Sequence, residues 1–170
     1  MIRPSWTDYY LGLALVVARR SHDIHTQHGC IITDKNNKVL GMGYNGFPAN
    51  LEDDKLPLNR PDKYQWMIHS ERNAIDNCTL KPIDGIAYVT GQCCNDCIMH
   101  LYRNGIKRVV MMNHHGSQLL NDESKKIFNT FIEMASKQGF SIEYVDPDLS
   151  WLRQFLGVNN NIETNKDYLK

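Results

Sequence analysis

Two short peptides carry the residue types that could do chemistry. "HSERNAIDN" (69–77) sets an imidazole and a carboxylate, His69 and Glu71, two residues apart at a predicted helix start, and "QCCNDC" (92–97) crowds Cys93, Cys94 and Cys97 together. Each has a bland reading alone: a histidine at a polar helix end followed by a first-turn glutamate that the helix dipole favours, and a C-x-x-C that is weak evidence by itself. Read together they describe a metal centre. Cys94 and Cys97 are three apart at a second predicted helix start, so their sulfurs share a face and can grip one ion. His69 supplies a third ligand. Three protein ligands leave the fourth position of a tetrahedral zinc ion open, which is the catalytic rather than the structural arrangement. Cys93 as fourth ligand would close it; adjacent residues in a turn rarely aim both side chains at one ion, so the open site is favoured and the closed one stays as the alternative. Glu71 then stands beside the metal without being needed as a ligand, placed to take a proton from water and deliver it to a leaving group. Both helix N-termini point at the centre, and their positive dipole ends favour thiolates.

The elements that must position these peptides follow from periodicity and punctuation. Trp6, Tyr9, Leu13, Val16 and Val17 recur at helical spacing and predict a first helix, followed by a polar loop over 21–29. "CIITDKNNKVLGMGYNG" predicts two strands, 30–33 and 39–44, hinged on the turn at 34–37. "FPANLEDDKLPLNRPDKYQW" (47–66), with three prolines, predicts a long surface loop. Helices are then predicted over 69–78, 94–104 and 122–138, the last two stopped by Gly105 and Gly139, alternating with strands 86–90, 107–112 and 141–145. Alternating strands and helices indicate an α/β layer with parallel stretches, and the opening hairpin makes the sheet mixed. The expectation is a single domain over 1–150 and a polar, partly disordered extension over 151–170.

The bulk numbers restrict the partners. Of 170 residues, 19 are Lys or Arg and 19 Asp or Glu, so no net charge draws in a polynucleotide backbone over long range. A small-molecule substrate is expected, although a local basic patch would escape this count. Five cysteines, odd in number and clustered, suit metal binding better than a disulfide framework and fit a reducing cytoplasm, or a host cytoplasm if the source is viral. The apolar run at 11–18 is too short to cross a bilayer and ends at Arg19 and Arg20 without a cleavage site, so no membrane partner is expected. The remaining cysteines and histidines are read as buried thiols and ordinary core or surface histidines, with a second zinc between the loop histidines and His114 or His115 as the minority reading.

H-x-E followed by C-x-x-C on these elements is the signature of the zinc-dependent nucleobase and nucleotide deaminases. Within that superfamily the chain resembles the deoxycytidylate (dCMP) deaminases, through "GCIITDKNNKVLGMGYNGFP" (29–48), "HSERNAI" (69–75), "YVTGQCCNDC" (88–97) and "NGIKRVV" (104–110). The resemblance spans roughly residues 6–145. It implies a cytidine-deaminase-like α/β/α sandwich with a mixed five-stranded sheet, assembled as a homo-oligomer, a hexamer by family resemblance. It implies hydrolysis of dCMP to dUMP and ammonia for thymidylate supply, with His69, Cys94 and Cys97 on zinc and Glu71 as the proton shuttle that protonates N3 while water adds at C4. Asn45 is implied as a substrate contact, since its amide both donates and accepts; Asn45-Gly46 as a plain turn dipeptide is the competing reading. Backbone amides near Ser70 and Cys94 could help hold the ring, and the loop at 21–27 offers Ser21, Thr26 and nearby Arg20 to a phosphate. Nucleotide regulation is also implied, with dCTP and magnesium activating and dTTP inhibiting. It would use the loop of Gly43, Tyr44, Gly46, Phe47, Glu52 and Asp53.

Several positions depart from the family pattern. Cys93 replaces a proline, Ser70 an alanine, Asn50 a glycine and His28 a valine. The ligands and Glu71 are intact, so the departure at Asn50 bears on effector binding more than on catalysis. The rival readings are deamination of dCTP or of tRNA adenosine, against which neutral charge weighs for the tRNA case, and a zinc-bearing nucleotide-binding module without activity. The presence of Glu71 argues against the last.

Overall fold

The computed structural model describes residues 3–113 and 121–155, with the side chains of Asp53 and Phe155 outside the described set. The expected mixed five-stranded sheet is present, in the order β2-β1-β3-β4-β5. Its strands are β1 (Gly29–Thr33), β2 (Val39–Tyr44), β3 (Gly85–Val89), β4 (Ile106–Met112) and β5 (Ser141–Val145). β1 pairs antiparallel with both β2 and β3, whereas β3, β4 and β5 run parallel. The β1–β2 turn is held by Asp34, whose carboxylate accepts from the amides of Asn36 and Lys38, each at 2.8 Å, and by Asn37 at φ 62°. Asparagine tolerates that left-handed backbone.

Successive strand residues face opposite sides of the sheet, so each strand feeds two cores. Cys30 and Ile32 of β1, Ala87 and Val89 of β3, and Val109 and Met111 of β4 pack under three helices, α2 (Ser70–Asp76), α3 (Asn95–Arg103) and α4 (Asp122–Ser136), through Ala74, Ile98, Leu101 and Ala135. The intervening Ile31, Tyr88, Val110 and Met112 pack on α1 (Trp6–Ala18). The result is the α/β/α sandwich. A short α5 (Ser150–Phe155) packs against α1, where the Trp151 ring meets Tyr9 at 5.5 Å between centroids. The expected boundary between residues 150 and 151 therefore falls inside a docked helix; the rest of the extension, 156–170, lies outside the described residues.

The helix expected from the spacing of Trp6, Tyr9, Leu13, Val16 and Val17 is α1, and the residues that turn fully inward are Tyr10, Leu11, Ala14 and Ala18, while Tyr9, Leu13 and Val17 are partly buried and Trp6 and Val16 are 46% and 54% exposed. Residues 11–18 are apolar almost all round, so periodicity alone does not choose a face. Close approach does. A Cβ on Gly29 would lie 2.0 Å from the carbonyl oxygen of Ala14, so β1 and α1 touch backbone to backbone, which only the small-residue face of the helix permits.

Candidate active and metal site

The site forms where two helix starts meet over the end of β3. His69 is the N-cap of α2 and Cys94 the N-cap of α3, both with extended backbone and neither using its side chain to cap its own helix. N-caps are ordinarily Ser, Thr, Asp or Asn that bond back to the first turn. Here the two side chains turn toward each other instead. His69 Nδ1 lies 3.5 Å from Cys94 Sγ and 3.4 Å from Cys97 Sγ. The edge of a tetrahedron built from ordinary Zn–N and Zn–S bonds is about 3.6 Å, so these spacings suit two corners of the same ion's shell. The three ligand atoms lie within 4.8 Å of one another, and no other such His, Cys, Asp or Glu group occurs among the described residues. His114 and His115, named for the minority second site, lie outside that set.

The thiols are electrostatically prepared for a cation. The hydrogen bond from Cys97 pulls Cys94 down to about 4 against its burial, with His69 adding to the effect. Cys97 is pushed up by Cys94, by burial and by Glu71. The two sulfurs thus titrate as one pair with a shared proton, which a bound cation would displace. The donor set, two thiolates and one imidazole, fits zinc.

Glu71 sits in the first turn of α2, 5% exposed, and accepts a hydrogen bond from Ser70 Oγ at 2.9 Å. It belongs to no ligand group. Cys93 is not a member either: its thiol is fully buried, its amide donates to Met111 Sδ at 3.3 Å, and burial, then the Glu71 charge and a hydrogen bond to Glu71, push its pKa well up. Among the described residues, the closed four-ligand arrangement therefore has no geometric support.

The loop residues named from sequence are held together, chiefly by one another. Asn45 is buried; its Oδ1 accepts from the His28 amide at 2.6 Å and its Nδ2 donates to the Thr26 carbonyl at 2.9 Å. Ser21 Oγ donates to the Asn45 carbonyl at 2.6 Å, and Thr26 Oγ1 accepts from Arg60 at 3.0 Å. Of the loop offered for an effector, Gly43 is closed off by α2, since a Cβ there would lie 2.3 Å from the Ala74 nitrogen. Gly46 pairs with Ile68, Phe47 is buried against the His22 ring, and Tyr44 is half-buried with its carbonyl accepting from Asn73. Glu52 is exposed and ion-paired with Lys55, while the side chain of Asp53 lies outside the described set. Asn50, where the family pattern has glycine, has φ 68°, a conformation that asparagine also adopts.

Sequence reading missed the strongest electrostatic feature here. Asp23 and Lys63 form a buried ion pair, 3% and 2% exposed, with Lys63 Nζ 2.6 Å from both carboxylate oxygens. Nothing local could have shown it, because the partners lie in two polar loops far apart in the chain. Burial alone would raise the pKa of Asp23; hydrogen bonds from Lys63 and from the amides of His25 and Thr26, with the ammonium charge, outweigh it and hold the carboxyl below its ordinary value. The unfolded chain therefore binds this proton more readily. The pair's contribution to stability is complete above about pH 4 and is lost as the pH falls through the depressed folded-state value. Melting temperature against pH for Asp23→Asn should show a shallower acid limb than wild type below about pH 4; a superimposable limb would remove Asp23 from that role.

Comparison with known proteins gives a consistent picture. The profile of the cytidine and deoxycytidylate deaminase zinc-binding region matches residues 4–113. Curated deoxycytidylate deaminases of Pongo abelii and Homo sapiens are each 35% identical over 147 residues, covering 78% of this chain and 83% of theirs. That of Mycobacterium phage D29 is 32% identical over 124 residues, covering 65% and 96%. Among solved structures, the apo dCMP deaminase of cyanophage S-TIM5 superposes with a TM-score of 0.62 at 20% identity, over 85% of this chain and 100% of that one. Its complex with dCMP and dUMP gives the same TM-score at 19% identity. At that identity the structures share the fold.

Proposed function

From the premise that the chain belongs to the cytidine and deoxycytidylate deaminase zinc-binding family, we propose that it hydrolyses dCMP to dUMP and ammonia. The observation that carries this reading is a buried, non-ligating carboxylate, Glu71, two residues from a histidine whose Nδ1 stands at tetrahedral-edge distance from two cysteine sulfurs. His69, Cys94 and Cys97 hold zinc, which when bound supplies Lewis acidity toward water. Glu71 takes the proton from the water that adds at C4, protonates N3, and hands a proton to the departing ammonia, so that dCMP and water become dUMP and ammonia. Ser70 Oγ keeps the carboxylate oriented. The first amides of a helix have no intrahelical acceptor, so those at the two helix starts are suited to the pyrimidine carbonyl. The product would supply thymidylate synthesis.

Inhibition by dTTP, activation by dCTP with magnesium, a hexameric assembly and a cytoplasmic location rest on the family resemblance. Magnesium would have to displace Lys55 from Glu52 to use that carboxylate.

The test is product formation by the zinc-loaded protein from dCMP, with CMP, deoxycytidine, dCTP and a tRNA anticodon stem-loop in parallel, each with and without dTTP. Uracil nucleotide from dCMP, suppressed by dTTP, is expected. Turnover confined to dCTP or to tRNA adenosine would reassign the substrate, and no turnover of any substrate with dCTP present would overturn the enzyme reading.

A further inference from the structure

We propose that the buried Asp23–Lys63 ion pair is a positioning device for the nucleotide, clamping the loop at 21–28 to the segment that delivers His69 and thereby setting how tightly substrate is held. The proposal rests on the deaminase reading above. Removing two charges from water is expensive, and a well-packed apolar pair of the same volume would usually stabilise a fold as well or better. A buried pair of this kind is therefore weak evidence for stability, and its geometry is what calls for explanation.

Each partner organises a different backbone. Asp23 Oδ1 also accepts from the amides of His25 at 2.8 Å and Thr26 at 3.1 Å, so the carboxylate shapes the loop in which it sits. Lys63, from the other side, uses its carbonyl to receive the amides of Trp66 and Met67, each at 3.0 Å, two residues short of Ile68 and His69 in the case of Trp66 and Met67 respectively. Ile68 in turn exchanges two backbone hydrogen bonds with Gly46, and Asn45 reaches back to Thr26 and His28. Arg60 adds a second strap to Thr26. Three segments are thus locked in one register: 21–28, 45–47 and 60–68. They lie at the end of the sheet that holds the ligand cluster, since the Gly29 amide donates to Thr90 Oγ1, at the end of β3 that leads into Cys93 and Cys94. What the loop then offers toward solvent, including exposed Ile24 and His25, is presented on a fixed backbone. Preorganised contacts of that sort lower the ordering cost of binding.

The experiment compares wild type with Lys63→Met, Lys63→Arg and the uncharged double variant Asp23→Asn with Lys63→Met, in which the amide oxygen keeps the bonds from His25 and Thr26. For each, KM and kcat on dCMP, bound zinc and melting temperature are measured. In Lys63→Met, KM for dCMP should rise by about tenfold or more with kcat and zinc stoichiometry nearly unchanged, and Lys63→Arg should recover part of the loss. The double variant should melt near wild type yet keep the raised KM, and it stands in for Lys63→Met if that single variant does not fold. A double variant with wild-type KM would overturn the proposal, leaving the pair a packing feature. So would a loss confined to kcat or zinc. Wild type inactive on dCMP would instead overturn the deaminase reading on which the proposal rests, so the two failures are distinguishable.

Discussion

Replacing Glu71 by glutamine should lower kcat for dCMP by about 10²–10⁴-fold while bound zinc stays at the wild-type level, because positioned general acid–base groups contribute about that much. Three observations set up this expectation. The side chain is buried, so little solvent competes for its proton-transfer position. It is not a member of the ligand group of His69, Cys94 and Cys97, so removing its charge leaves that donor set whole. The Ser70 hydroxyl donates to it at 2.9 Å, a bond that a glutamine carbonyl preserves, so the substitution changes proton chemistry more than geometry. Single-turnover kinetics with metal analysis would check it. A kcat within a few-fold of wild type would remove Glu71 from the proton-transfer role, and loss of zinc would make it a ligand or a support of one.

The second large effect is structural. Gly29→Ala should cost about 4 kcal/mol or more, a large part of the stability of an ordinary domain. The added Cβ would lie 2.0 Å from the Ala14 carbonyl oxygen and 2.8 Å from the Ala18 nitrogen, both backbone atoms of α1, which no rotamer change can move aside. Relief requires α1 to lift from the sheet, uncovering the core of Leu11, Ile31 and Tyr88. Gly46→Ala is the contrast, since its Cβ would meet only side-chain atoms of Tyr44 and His22, at 3.3 and 3.5 Å. Urea unfolding of the two variants should separate them by several kcal/mol; similar midpoints would mean that α1 docks loosely.

What could be read from the sequence was whatever depends on near neighbours along the chain. The i,i+3 spacing of Cys94 and Cys97, the short apolar runs of β1, β3 and β4, and the stops at Gly105 and Gly139 are local, and their elements appear within a few residues of the expected places. His69 and Cys94 prove to be helix N-caps rather than first-turn residues, a shift of one position that decides where their side chains point. What was illegible depends on pairs remote in sequence. The face of α1 is chosen by Gly29, and Lys63 is buried only because Asp23 meets it from another loop. Asn45 shows the same limit: its chemistry was visible, but not that its carbonyl, its Oδ1 and its Nδ2 would each be matched within the protein.

The Gly46–Ile68 bridge, with amide-to-carbonyl bonds of 3.0 and 2.8 Å running both ways, fastens the two ends of the excursion at 47–67 directly beside His69. Loop-closure entropy grows only logarithmically with length, about 0.6 kcal/mol per doubling. Chain can therefore be inserted or trimmed in the part between Pro48 and Asn59 at little thermodynamic cost, while the approach of His69 to the sulfurs of Cys94 and Cys97 stays fixed. The excursion is thus where this scaffold can change during evolution without disturbing its chemistry.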